Sequence, residues 1–174
     1  MSLEGKKVIV LAENNYQDLE LWYPYYRLKE EGAEVSVVGS GSSSTFTSKT
    51  GYPVTADFSA EVVKMADYDG IIIPGGYAPD LMRRFPAMVK LVRDAHDQGK
   101  VIGAICHAGW MLVSAGILKG QKATCFFAIR DDLINAGANY IDREVVRDGN
   151  LITSRMPDDL PAFCREIILA LKGH

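Results

Sequence analysis

The chain has 174 residues, of which 48% are apolar and 24% charged, with a net charge of −3. This composition is typical of one globular domain, which we place at residues 4–174, and it excludes a disordered or collagen-like chain. No basic block and no apolar run of membrane-spanning length is present, so neither nucleic acid nor a membrane is expected as a partner. The three cysteines share no CxxC spacing and no secretion-signal pattern opens the chain, so a cytoplasmic protein is expected.

Apolar runs that fit buried strands alternate with helical patterns along the chain. In chain order, the patterns predict a strand at Lys7–Ala12, a helix at Gln17–Gly32 with a kink or late start at Pro24, a strand at Glu34–Gly39, a surface turn at Ser40–Ser48 and a small β-excursion at Thr47–Asp57. They then predict a strand at Gly70–Pro74, a helix at Pro86–Gly99, a strand at Val101–Ile105 and a helix from Cys106 to Gly116. The last elements are a hairpin that joins Arg143–Arg147 to Leu151–Ser154 and a helix that opens at Asp158 or Asp159.

This alternation predicts an α/β fold, a doubly wound sandwich with a mostly parallel central sheet and helices on both faces. Ligands of such sheets bind beyond the carboxyl ends of the strands. Three loops follow strand ends, at Glu13–Asp18, Gly75–Asp80 and Cys106–Gly109. We therefore expect the functional site where these loops meet.

Cys106 stands at the junction of a predicted buried strand and a helix. A sharp strand-to-helix turn exposes a side chain at the edge of the sheet, as in a nucleophile elbow. The helix N-terminus favours a thiolate, so we expect the pKa of this thiol to lie below that of free cysteine. Cys125 and Cys164 lie inside apolar stretches, which is typical of buried core cysteines.

His107 is the candidate base for this thiol, because it is the next residue in the sequence. A structural hydrogen bond at the start of the helix is the alternative role. His96 lies beside Asp94 in a predicted surface helix, and His174 ends the chain. Zinc needs three or four clustered ligands, so the sequence indicates no metal site, and it indicates no cofactor.

The run from Pro74 to Asp80 contains two adjacent glycines directly after a central strand. Gly75 and Gly76 allow backbone N–H groups to approach a developing oxyanion, and Tyr77 is placed in the same pocket. An ordinary turn before a helix start explains the same residues without a functional role. Asp80 is a candidate to orient the imidazole of a catalytic histidine.

Four ordered runs resemble the PfpI-type intracellular proteases of the DJ-1/PfpI superfamily: Ile71–Asp80, Ala104–Leu118, Asp131–Tyr140 and Ser154–Leu160. The resemblance implies a flavodoxin-like sandwich with Cys106 as the nucleophile and His107 beside it. It also implies a homo-oligomer, from a homodimer up to a hexamer, in which Asp80 reaches the histidine of an adjacent subunit.

The family has a glutamate in the loop after the first strand, close to the cysteine sulfur. An alignment of Leu11–Leu21 places Gln17 there, while Glu13 and Glu20 are nearby but do not match the motif. A glutamine amide can donate a hydrogen bond to a thiolate but cannot exchange a proton. Glyoxalase and carbonyl-adduct chemistry uses an acid or base in this place.

We therefore expect a cysteine hydrolase of the peptidase or amidase kind, acting in a stress response on a peptide or a small molecule. In this reaction Cys106 attacks a carbonyl, His107 shuttles the proton, and N–H groups of Gly75, Gly76 and His107 hold the oxyanion. Two alternatives stay open: a deglycase or glyoxalase acting on methylglyoxal-type adducts, and a non-enzymatic redox-sensing or chaperone-like stress protein in which the cysteine is oxidised. Gln17 favours the hydrolase and the redox sensor over the glyoxalase.

Overall fold

The computed structural model describes residues 2–173. His174, taken above as the last residue of the domain, lies outside the described residues. Leu3, just before the predicted start of the domain, is 1% exposed, and its N–H donates to the carbonyl of Glu31 at 2.9 Å. No helix within residues 2–173 is long and apolar enough to cross a membrane.

The elements follow one another in an alternating order. The first half of the chain forms β1 (Lys7–Ala12), α1 (Asp18–Glu30), β2 (Glu34–Gly39), β3 (Thr45–Thr47), β4 (Pro53–Thr55), β5 (Phe58–Ser59) and β6 (Gly70–Ile73). The second half forms α2 (Ala78–Met82), α3 (Pro86–Asp97), β7 (Val101–Ile105), α4 (Gly109–Ala115), β8 (Lys122–Ala123), α5 (Arg130–Asn135), β9 (Asn139–Tyr140), β10 (Val146–Asp148), β11 (Leu151–Ser154) and α6 (Leu160–Leu171).

In the part of the chain that the structure describes, the main sheet has seven strands in the order β10-β11-β7-β6-β1-β2-β5. Neighbouring strands are parallel except for the β10–β11 hairpin. Every residue of β6 and β7 is buried, as expected for strands that are covered on both faces. Within the described residues the helices form two groups, α1 with α6 and α4 with α2, α3 and α5. The predicted α/β, flavodoxin-like fold with a mostly parallel sheet is confirmed.

Several local predictions differ from the structure: β10 begins at Val146 instead of Arg143, and α4 begins at Gly109 instead of Cys106. Helix α1 runs from Asp18 to Glu30 with Pro24 inside it, so the proline does not delay the start of the helix. The predicted turn at Ser40–Ser48 is too long, because β3 already begins at Thr45. Phe46, the central residue of β3, is fully buried. Its ring packs so closely on Gly39 that a Cβ on Gly39 would clash with it.

The sheet topology brings three strand ends together. β1, β6 and β7 are neighbours in the sheet, so the loops that follow them meet at one edge. An isolated bridge pairs Tyr16 with Gly76, and the N–H of Gln17 donates to the carbonyl of Gly75 at 3.1 Å. The loop after β1 is thereby joined to the loop after β6, directly beside the end of β7.

Candidate active site

Cys106 lies at this edge in a strained backbone conformation. Its φ is 62°, in the left-handed region that non-glycine residues seldom adopt. The residue connects β7 to a 3₁₀ turn at Cys106–Ala108, which is the elbow geometry expected from the sequence. Its side chain lines a cavity, whereas Cys125 and Cys164 are each 1% exposed within the core.

The cavity over Cys106 has a volume of about 580 Å³. Its walls come from the loops after β1, β6 and β7 and from more distant segments: Asn15, Gln17, Glu20, Lys49, Gly76, Tyr77, His107, Phe126, Met156 and Pro157. Of the residues predicted for the pocket, Gln17, Gly76 and Tyr77 are among these. Within residues 2–173, no three His, Cys, Asp or Glu side chains are grouped so that they could hold a metal ion.

His107 directs a ring nitrogen toward the sulfur. Its Nδ1 lies 3.1 Å from Sγ of Cys106, and its ring stacks on that of Phe126 with centroids 5.0 Å apart. Burial, and then the charge of Lys49, lowers the pKa of His107. The imidazole is therefore neutral near pH 7 and can accept a proton from the thiol.

Glu20, which does not match the family motif in the sequence, also lies beside the cysteine. It lies in the first turn of α1 and is fully buried, and its Oε2 accepts a hydrogen bond from the N–H of Gly75 at 2.8 Å. The carboxyl and the cysteine are neighbours, because a Cβ on Gly75 would lie 2.5 Å from Oε2 of Glu20 and 2.6 Å from Cβ of Cys106. Burial raises the pKa of Glu20 to about 7, against the opposing effects of Gly75, Cys106 and Lys49. Glu20 therefore exchanges protons at neutral pH.

Gln17 has a different role from the one predicted. Its Oε1 accepts a hydrogen bond from the N–H of Glu20 at 2.9 Å, so it is the N-cap of α1. The alignment that placed Gln17 in the position of the family glutamate is therefore wrong. The two residues are about one helical turn apart, and it is Glu20 whose carboxylate points to the sulfur.

The expected oxyanion donors need one correction. The N–H of Gly75 is occupied by Glu20, so it is not free for a substrate. The N–H groups of Gly76 and His107 point at Cys106 instead. Both positions require glycine, for different reasons. A Cβ on Gly75 would lie 2.6 Å from Cβ of Cys106, and Gly76 adopts a left-handed φ of 76°.

The thiol and the carboxyl of this site control each other's charge. Burial, and then the Glu20 carboxylate, raises the pKa of the Cys106 thiol to about 12, although the N–H groups of Gly76 and His107 lower it. The prediction of a lowered thiol pKa is therefore wrong while Glu20 is ionised. Protonation of Glu20 removes the repulsion and turns one oxygen into a hydrogen-bond donor, which favours the thiolate.

Asp80 lies in α2, three residues after the cavity residue Tyr77, and is not itself part of the cavity wall. Its carboxylate pairs with Arg84 at 2.5 Å, and within residues 2–173 of this chain no contact joins it to His107. Tyr77, on the same loop, is 51% exposed. Contact between Asp80 and the histidine of another subunit stays a prediction.

Comparison with known proteins identifies relatives over nearly the whole chain. The model described as DJ-1/PfpI family matches residues 6–170. The chain is 45% identical over 166 residues to Deglycase PfpI of Pyrococcus furiosus, which covers 95% of this chain and 99% of that protein. It is 39% identical over 168 residues to YraA of Bacillus subtilis, whose name carries a provisional cysteine-protease designation; that match covers 97% of this chain and 99% of YraA.

A solved structure shows the same fold. A two-domain protein of Anabaena variabilis, with DJ-1/ThiJ/PfpI-like and ferritin-like domains, superposes with a TM-score of 0.93 at 42% sequence identity. The match covers 95% of this chain and 48% of that protein. The chain therefore spans about half the length of this two-domain relative.

Proposed function

This chain belongs to the DJ-1/PfpI family, and we propose that it is a deglycase- or glyoxalase-type enzyme that converts methylglyoxal-type carbonyl adducts to lactate. The observation that carries the proposal is the pair formed by a cavity cysteine, Cys106, and a buried carboxyl, Glu20, whose pKa is about 7. The name of the Pyrococcus furiosus relative, a deglycase, supports the same chemistry.

The first step is attack by the sulfur of Cys106. In a methylglyoxal adduct on an amine, the former aldehyde carbon carries the nitrogen and a hydroxyl group. The thiol proton passes to Nδ1 of His107, which is 3.1 Å away, and then to the leaving amine. A carbon–sulfur bond forms as the carbon–nitrogen bond breaks, and the amine is released with an enzyme-bound hemithioacetal left behind. The N–H groups of Gly76 and His107 stabilise negative charge near the sulfur.

The second step moves a proton between two carbons. Glu20 takes the proton from the carbon bonded to sulfur and returns it to the adjacent carbon. The hydroxyl proton passes from the oxygen of the first carbon to the carbonyl oxygen of the second, which gives a thioester of lactate. The first carbon is oxidised as the second is reduced, so the step needs no external oxidant. Oε1 of Glu20 is buried and has no hydrogen-bond partner within residues 2–173, so it is free to accept this proton. Water then hydrolyses the thioester and regenerates Cys106.

The peptidase function expected from the sequence does not require the carboxyl group of Glu20. Hydrolysis of a peptide bond moves protons between oxygen, nitrogen and sulfur, for which His107 is sufficient. It requires no group that removes a proton from carbon. The designation of YraA supports the peptidase function, and the assay of the proposal therefore includes a peptide substrate.

The proposal is tested by measuring lactate. Methylglyoxal-modified N-acetylarginine is incubated with the protein, and released lactate and recovered N-acetylarginine are quantified. A peptide substrate is incubated in parallel, and its cleavage is quantified. We expect lactate formation by the unmodified chain and only the background rate with Cys106→Ala. Cys164→Ala, which removes a sulfur from the core of α6, is the matched control and keeps the activity. Equal lactate release with Cys106→Ala, or peptide cleavage without lactate, contradicts the proposal.

We also propose that the site is completed in a homo-oligomer, where Asp80 of one subunit orients His107 of another. Cys106→Ala and Asp80→Ala are each expected to lose activity when assayed alone. After subunit exchange, a mixture recovers about a quarter of the activity of the unmodified protein, because half of the pairs are mixed and each holds one intact site. If native mass spectrometry shows that subunits exchange but no activity is recovered, the proposal is wrong and Asp80 has only a structural role as the partner of Arg84.

A further inference from the structure

Lys49 is an exposed lysine in the wall of the cavity over Cys106. We infer that Lys49 selects substrates that carry an anionic group, a carboxylate or a phosphate, a few bonds from the reacting carbonyl carbon. The inference rests on the proposed function and deepens it, because it assigns a chemical class to the adduct.

The backbone at Lys49 is fixed although the residue lies in a loop between β3 and β4. The hydroxyl groups of its two neighbours, Ser48 and Thr50, both donate to Oδ1 of Asp18 at 2.6 Å. The N–H of Lys49 itself donates to the carbonyl of Tyr16 at 3.0 Å. These bonds fasten the loop to the start of α1, so the position of Lys49 relative to the cysteine is set by the fold.

The ammonium group of Lys49 is available to a ligand. It forms no ion pair or side-chain hydrogen bond within residues 2–173. The carboxyl group of Glu20 also belongs to the cavity wall, but it is fully buried and bonded to Gly75. His107 adds no positive charge near pH 7, since burial and Lys49 lower its pKa. The accessible charge in the cavity wall is therefore positive.

The field of Lys49 reaches the reacting groups. Its charge lowers the pKa of Glu20 as well as that of His107. The remaining walls include Tyr77, Phe126 and Met156, which offer apolar surface to the rest of a substrate. A volume of about 580 Å³ accommodates a small adduct, in which an anion on Lys49 places the carbonyl carbon over the sulfur.

The charge selection can be measured on the cysteine without any turnover. Iodoacetate and iodoacetamide alkylate a thiol at the same carbon, but iodoacetate is anionic and iodoacetamide is neutral. We expect Lys49→Ala to lower the ratio of the iodoacetate rate to the iodoacetamide rate at Cys106 about fivefold at low ionic strength. This effect is expected to shrink as salt is added. Lys49→Arg keeps the ratio, and so does the control Lys64→Ala, which removes an exposed lysine that does not line the cavity.

The substrate class is tested with three hemithioacetals of methylglyoxal. They are made with 2-mercaptoethanol, which is neutral, with 3-mercaptopropionate, which carries a carboxylate, and with 2-mercaptoethyl phosphate. We expect a lower KM for one or both anionic adducts, and we expect Lys49→Ala to erase the difference with little change in kcat. The order of the two anionic adducts shows whether carboxylate or phosphate is preferred.

The two assays separate this inference from the proposed function. If no adduct yields lactate but the alkylation ratio depends on Lys49, the proposed function is wrong and the anion selection stands. If lactate forms equally from all three adducts and Lys49→Ala leaves the alkylation ratio unchanged, the proposed function stands and the role of Lys49 is overturned.

Discussion

Replacement of Glu20 by glutamine is expected to lower lactate formation by about a hundredfold or more, because general acid–base catalysis contributes about 10²–10⁴ in rate. The amide has the same size and can still accept the hydrogen bond from Gly75, which is 2.8 Å long in the structure. It cannot take a proton from carbon. The same variant is expected to keep the iodoacetamide reactivity of Cys106, because the amide can donate a hydrogen bond to a thiolate and carries no repelling charge.

This contrast between lost turnover and retained alkylation distinguishes a proton carrier from a structural residue. Glu61→Gln is the matched control, since Glu61 is exposed and does not line the cavity. It is expected to keep both turnover and alkylation. Turnover by Glu20→Gln at the rate of the unmodified protein shows that Glu20 is not the acid–base group. Loss of both properties together assigns Glu20 to the support of the fold.

At pH 8, Glu20→Gln is also expected to be more stable than the unmodified protein, by about 3 kcal/mol. Burial raises the pKa of Glu20 from 4.5 to about 7, so the folded state holds a proton that the unfolded state releases earlier as the pH rises. The stability that this proton contributes is complete below pH 4.5 and is lost as the pH rises through 7. The uncharged amide carries no such cost, and thermal unfolding should shift upward by roughly 6–12 °C at pH 8.

The pH dependence of the stability difference shows whether the ionisation of Glu20 causes it. Unfolding of Glu20→Gln and of the unmodified protein is compared from pH 4 to pH 8 by circular dichroism, and the advantage of the variant should grow between pH 4.5 and 7. Glu61→Gln should follow the unmodified protein throughout. An advantage that is equal at pH 4 and pH 8 has another cause, and a variant less stable at pH 8 contradicts the burial cost assigned to Glu20.

The central sheet could be predicted from the sequence because its strands are buried on both faces. Such strands consist of continuous apolar runs, and Lys7–Ala12 and Val101–Ile105 were predicted with their observed bounds. The small elements could not be predicted. Lys122–Ala123 and Asn139–Tyr140 are each two residues long, and their pairing depends on distant contacts such as the bond from the N–H of Lys122 to Asp148.

The nucleophile could be found from sequence, but its carboxyl partner was missed. The pattern around Cys106 is local, since the cysteine directly follows an apolar strand. The assignment of Glu20 depends on where α1 begins. An alignment that is wrong by one helical turn selects Gln17 in its place. One signal was present: Glu20 lies on the same helix face as Pro24 and Leu28, which are buried. A carboxylate on a buried helix face requires a partner or a function.

The oxyanion donors could be predicted from the sequence only in part. The adjacent glycines after β6 correctly indicated a close backbone approach, and a Cβ on Gly75 would clash with Cys106. The sequence could not show that the N–H of Gly75 is taken by a side chain 55 positions away. Such an allocation of hydrogen bonds becomes visible only when both partners are placed.

The proposed chemistry requires that a carboxyl which titrates at neutral pH lies beside the sulfur of Cys106. This requirement is tested most directly by following the side-chain carboxyl carbon of Glu20 by ¹³C NMR as a function of pH, with the signal assigned by its loss in Glu20→Gln. The structure predicts a midpoint near 7, because burial raises the pKa of Glu20 to about 7. A midpoint near the ordinary value of 4.5 would contradict the account, since Glu20 would then be a permanent anion at neutral pH and could not carry the proton between the two carbons.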